Sequence, residues 1–245
     1  MRSPLIAIAI LSVTSAVSYG ADLPRPIPYK AYTPYEKVRD WTGFYAGVNL
    51  GGGFANTNSD FSSGGTGFAS ASNNLTGFIA GGQLGYNWQS GPAVFGVEAD
   101  FQYSGQKGSI VAPPCPAAVC GVATSASYSQ SIPWFGTARA RIGYAADGWM
   151  LYATGGYAYA DLKSDAVATA GATTAAASQT QFRNGWTIGA GAEMMLGNNW
   201  SARVEYLYLD FGTVSSAWVL PGIPTVNAET RLYDNVVRAG VNYRF

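Results

Sequence analysis

The feature that most constrains this chain is a two-residue alternation of apolar and polar side chains. It recurs in eight runs of about ten residues between Trp41 and Phe245. Such alternation builds strands with one apolar and one polar face, because successive side chains point to opposite sides of the backbone. Run 41–54 sets Phe44, Ala46, Val48 and Leu50 against Tyr45, Gly47, Asn49 and Gly51. Run 75–88 sets Phe78, Leu84, Tyr86 and Trp88 against Gly81, Gln83, Gly85 and Asn87. The remaining runs are 93–103, 131–145, 149–160, 183–196, 200–211 and 231–245. The connections alternate too. Those after the second, fourth and sixth runs are short (89–92, 146–148, 197–199) and rich in Gly and Asn, which accept turn conformations. Those after the first, third, fifth and seventh read as long loops at 55–74, 104–130, 161–182 and 212–230. Short turns at one end and long loops at the other predict an all-β fold, an eight-stranded antiparallel up-and-down transmembrane β-barrel, over residues 41–245.

Alternation alone does not say which face meets lipid. In a soluble barrel the apolar face would turn inward. Three features favour the opposite sense. Glycine, 31 of the 245 residues, gathers on the polar face, where a narrow lumen needs small side chains between large ones. Aromatic residues gather at the run ends. Trp41, Trp88, Trp149 and Trp200 mark the short-turn side, and Tyr103, Tyr157, Tyr159 and Tyr208 the loop side, as two interfacial girdles would. The polar face also carries matched charges: Glu98, Asp100, Glu193 and Glu205 against Arg139, Arg141, Arg203 and Arg238. Runs three and four are neighbours, so Glu98 and Asp100 should meet Arg139 and Arg141 across one ladder, as a salt-bridge network inside the lumen. An arginine on the lipid face would cost about 2–4 kcal/mol at the bilayer midplane.

Residues 1–20 read as a cleaved signal peptide: Arg2, the apolar stretch LIAIAIL from Leu5 to Leu11, and small residues Ser18 and Gly20 before the cut. That apolar stretch is too short to span a bilayer, which takes about 20 residues. Residues 21–40 hold four prolines and read as an extended, Pro-rich periplasmic lead. The protein is therefore expected in the cell outer membrane.

Formal charge is balanced, 14 Lys and Arg against 14 Asp and Glu, which speaks against nucleic-acid binding. The chain has no histidine, which excludes Ser-His-Asp catalysis and His-ligated zinc or haem, so no enzyme activity, no cofactor and no metal site is expected. Cys115 and Cys120, the two cysteines, fall in the second long loop; an exported chain makes a disulfide the default, with metal binding or a free redox pair as the alternatives.

The stretch Trp41-Thr42-Gly43-Phe44-Tyr45-Ala46-Gly47-Val48-Asn49-Leu50-Gly51, after a Pro-rich lead and with a closing Val241-Asn242-Tyr243-Arg244-Phe245, resembles the outer-membrane immunogenic proteins of alphaproteobacteria. These are porin-like eight-stranded barrels similar to the transmembrane domain of outer-membrane protein A. Further points of likeness are Glu98-Ala99-Asp100, the stretch 136–144, Leu151-Tyr152-Ala153-Thr154-Gly155-Gly156 and the stretch 204–212. The resemblance implies an abundant Gram-negative surface antigen with a structural, envelope-integrity role, and it carries no catalytic residue over. It also implies that Tyr243 and Phe245 form the signal read by the outer-membrane assembly machinery. The expected partners are that machinery, outer-membrane lipid and lipopolysaccharide, and a host or environmental ligand met by the four loops. Two other roles stay open. Polar lumen residues such as Asn49, Gln83 and Thr137 suit a small-solute channel, and the apolar stretch 217–221 in the fourth loop suits a loop-mediated adhesin or ligand binder.

Overall fold

The computed structural model describes residues 40–112, 116–117, 124–170, 173–197, 199–220 and 223–245. The signal peptide, nearly all of the Pro-rich lead, and both Cys115 and Cys120 lie outside the described residues. Eight strands follow in order: β1 Gly43–Ser63, β2 Thr66–Ser90, β3 Ala93–Ala112, β4 Thr124–Ala146, β5 Trp149–Ala170, β6 Thr173–Met195, β7 Trp200–Leu220 and β8 Ile223–Arg244. Each pairs antiparallel with its chain neighbours, and β1 closes on β8.

The register fixes the shape. The row that starts at Asp234 runs through Leu209, Thr187, Gly156, Arg139, Glu98, Gly85 and Tyr45 and returns to β8 at Arg244, ten residues further along. Eight strands staggered by ten residues must tilt about 40° from the axis, and they enclose a bore only wide enough for side chains.

The tight turns follow their sequence. Asp147 and Gly148 both take positive φ (47° and 85°), the two-residue hairpin geometry that Asp-Gly favours. Pro133 sits where the β4–β5 register shifts between Ser131 and Phe135, because a residue without an N–H is tolerated in a sheet at such an irregularity.

The strands run well past the segments expected to be loops. β1 ends only at Ser63 and β2 restarts at Thr66, joined by Gly64 and Gly65 at positive φ. Most of 55–74, 104–112, 124–130, 161–170, 173–182, 212–220 and 223–230 is therefore strand rather than loop. Ala, Ser, Thr and Gly in these stretches keep the period of two with little polarity contrast, and extended backbone still gains by pairing.

Above the belt the wall divides. The β2–β3 ladder stops at Thr76 and Lys107, and the β6–β7 ladder at Trp186 and Asp210. The β8–β1 and β4–β5 ladders continue to Val226 and Ser63, and to Thr124 and Ala170. Two four-stranded halves thus face each other, β7-β8-β1-β2 and β3-β4-β5-β6. They meet through an apolar cap of Phe61, Trp218 and Ala228 from one half and Tyr128 from the other. Tyr128 packs edge-on to both Phe61 and Trp218.

Candidate functional site

The apolar stripe faces outward. Phe95, Ile188 and Val241 are 48%, 56% and 37% exposed, and the polar stripe is buried inside the cylinder. Trp88, Trp149 and Trp200 are exposed beside the short turns, and Tyr103, Tyr157, Phe101 and Phe182 toward the far end. Tyr159 and Tyr208 are half-exposed in the same far belt, Tyr159 stacked on Phe182 and Tyr208 tilted against Trp186. From Trp149 to Tyr159 a strand tilted by about 40° climbs about 25 Å, the height of an outer-membrane apolar band.

Trp41 departs from its expected place in this girdle. It is 1% exposed and plugs the short-turn mouth with Val94, Met150, Tyr152 and Met195. It precedes β1, and Gly43 at φ 132° lets the chain turn inward there. Its backbone N–H donates to Gln89 Oε1 (2.7 Å), and the Arg244 guanidinium lies 5.3 Å from its ring centre.

Beyond this plug, all eight expected lumen charges come together. Glu98 lies opposite Arg139 in the β3–β4 ladder, as expected of neighbouring strands. Arg139 pairs with Glu98, with Asp100 at 3.0 Å and with Glu205 at 3.0 Å. Arg238 reaches Asp100 at 3.1 Å and Glu205 at 2.6 Å. Arg203 pairs with Glu98. Arg141 is held by Glu193 at 2.9 Å and stands 3.7 Å from Glu98. Four cations therefore balance four carboxylates across β3, β4, β6, β7 and β8. Burying such charges is costly, and matched pairing with added hydrogen bonds offsets the loss of water.

Those added bonds come from residues that the charge pattern did not single out. Tyr45 Oη donates to Glu98 (2.6 Å) and accepts from Arg141 (2.9 Å). Tyr152 Oη donates to Glu205 (3.1 Å), and its ring centre lies 4.1 Å from the Arg141 guanidinium. Thr137 donates to Asp100 (2.6 Å), and Asn242 to Glu193 (2.8 Å). Parity along β1 and β5 was the available signal: both tyrosines fall on the lumen-facing stripe. Glycines make the room, since a Cβ at Gly85 would lie 2.4 Å from Tyr45 Oη and one at Gly191 2.5 Å from Tyr152.

Above the charges the lumen turns apolar. Ile79, Phe135, Ala158, Leu207, Leu209 and Val236 are buried in one cluster, inward residues on strands whose outward residues are also apolar. A second polar tier follows. Gln130 accepts from Thr57 (2.6 Å) and donates to Tyr128 Oη (3.2 Å), and Gln106 donates to both oxygens of Asp234 at 2.9 Å. The apolar stretch 217–221 is split: Trp218 is buried in the cap, and Val219 is 72% exposed. At the closing strand, Tyr243 pairs with Ala46 and the Phe245 N–H donates to Phe44 O (3.0 Å), leaving the Phe245 ring exposed.

A closed cylinder with an apolar outer band, aromatic belts and an ionic interior defines an integral outer-membrane β-barrel, with its short turns on the periplasmic side. More specifically, the chain belongs to the outer membrane protein beta-barrel domain family, whose profile matches residues 31–245. It is 36% identical over 253 residues to the 31 kDa outer-membrane immunogenic protein of Brucella melitensis, with all of both chains covered. It is 35% identical over 181 residues to the 22 kDa outer membrane protein of Rhizobium leguminosarum bv. viciae, covering 73% of this chain and 68% of that one. The solved structure of the outer membrane protein OprG from Pseudomonas aeruginosa matches in fold, with a TM-score of 0.50 and 11% identity over 83% of this chain and 97% of that one.

Proposed function

We propose that this protein is a structural element of the outer membrane, a sealed barrel without catalytic activity whose surface hairpins are the part met by a host or the environment. The observation that carries this reading is the filled lumen. From Trp41 at the periplasmic mouth, through the Arg–carboxylate tier and the Leu207–Leu209 tier, to the Trp218 cap, side chains occupy the bore. The charged groups of the central tier are spent on one another, with every guanidinium of that network in an ion pair. The names of the Brucella relatives support the antigenic part of the proposal. In the same reading, the aromatic belts contact outer-membrane lipid and lipopolysaccharide, and Tyr243 and Phe245 serve the assembly machinery. Planar-bilayer recording tests the sealed wall. Pure folded protein is expected to show no discrete conductance steps; reproducible steps would favour the small-solute channel.

A second role rests on a separate observation. The hairpins stand several residues above the outer belt and expose Val111 and Val219 at their outer ends, which suits adhesion to a partner surface. Shortening β7–β8 above Thr213 is expected to lower cell or matrix binding; unchanged binding removes the adhesin role.

A further inference from the structure

Arg183 stands apart from every other lumen cation. Its side chain points into the barrel from β6, at the level of the outer aromatic belt, and is 1% exposed. Among the described residues no carboxylate forms an ion pair with it, and its Nε and Nη1 have no hydrogen-bond partner. In the central network Arg139, Arg141 and Arg238 each leave one guanidinium nitrogen without a hydrogen-bond partner and Arg203 leaves two, but each of the four holds at least one carboxylate. The acid of the same tier, Asp234, is turned to the Gln106 amide and to the Phe54 N–H (3.1 Å). A buried guanidinium without a counter-charge is costly, and the natural remedy is an anion whose oxygens match its planar donor fork.

The wall opens at the same place. The β6–β7 ladder ends at Trp186 and Asp210, three residues from Arg183 along β6. Above that point Gln179 bridges the two strands by donating to Ala217 O (2.8 Å), a side-chain strap in place of a ladder. Trp218 Nε1, on the β7 side of the same seam, is a second buried donor without a partner. The seam starts at the outer belt, where the headgroups of the outer leaflet lie.

We propose that Arg183 anchors an oxyanion site inside the outer end of the barrel, reached through the β6–β7 seam and taking a phosphate-type group. That group could belong to free phosphate or to a lipid headgroup, and one experiment separates the two. Unfolding midpoints of folded wild-type protein and R183M are followed by heat-modified gel mobility in detergent with rising inorganic phosphate. They are followed again in vesicles whose neutral phosphatidylcholine is progressively replaced by phosphatidic acid. A saturable rise with phosphate in wild type, absent in R183M, supports a free-phosphate site. A rise only with phosphatidic acid, again absent in R183M, supports a headgroup site. Equal responses of the two proteins in both series overturn the proposal. Should R183M fail to fold, wild-type crystals soaked in selenate decide: an anomalous peak beside the Arg183 guanidinium supports the site, and its absence overturns it.

Discussion

Replacing Arg139 by Met is the sharpest test of the ionic lumen. The substitution removes three ion pairs at once and leaves four carboxylates facing three guanidinium groups. None of the three is orphaned, however. Glu98 keeps Arg203 and Tyr45, Asp100 keeps Arg238 and Thr137, and Glu205 keeps Arg238 and Tyr152. Removing one partner of a buried pair costs about 3–5 kcal/mol, and the surviving partners place R139M near the lower end, at about 3 kcal/mol. Neutralising the surplus acid should recover part of that loss, because a buried pair can be exchanged for neutral groups at little net cost. The double variant R139M/E98Q is thus expected to be more stable than the sum of its single variants, with a coupling of about 0.5–3 kcal/mol. Urea unfolding of the four proteins in detergent micelles, followed by tryptophan fluorescence, measures both quantities. An R139M stability within about 0.5 kcal/mol of wild type, the range of an ordinary surface substitution, would refute the claim that this network holds the wall.

Three further outcomes are expected. Among single-tryptophan variants in brominated lipid, the Trp149 protein should be strongly quenched and the Trp41 protein weakly, because the first ring faces outward and the second closes the mouth; equal quenching would return Trp41 to the belt. G191A should cost about 1–3 kcal/mol in the same urea assay by overpacking, since the new methyl displaces the Tyr152 ring from Arg141 and Glu205. Burial in the cap, above the membrane, raises the Tyr128 phenol above its ordinary value near 10. Its contribution to stability is therefore complete below the unfolded-state value and is lost as pH rises through the folded one. Wild type should lose more stability than Y128F in alkali above that value, measured as the difference in urea midpoint, and identical alkaline profiles would remove the effect.

The eight strands, their facing and the Glu98–Arg139 contact were legible because each depends on parity or on the pairing of chain neighbours. Outwardness of Phe95, Ile188 and Val241 follows from the same stripe that buries Arg139 and Arg203. What alternation could not supply is the stagger. Arg238 reaches Asp100 across the bore only because the rows climb ten residues per circuit, and no local pattern encodes that number. The upper strands escaped notice for a different reason: a stretch such as Thr173–Gln181 offers no apolar–charged contrast to mark its faces. Trp41 misled because its composition and spacing match those of Trp88, while the backbone turn at Gly43 sends its ring the other way.

The split of the outer wall has an immunological consequence. What projects from the cell is pleated sheet in two leaves, and one of them is stitched from hairpins at opposite ends of the sequence, the β7–β8 and β1–β2 arms joined at Val226 and Ser63. An antibody footprint on that leaf spans segments from both ends of the chain. Synthetic peptides cut from a single hairpin would lack the neighbouring strand that shapes it, so a vaccine immunogen built on this surface has to present the folded cylinder.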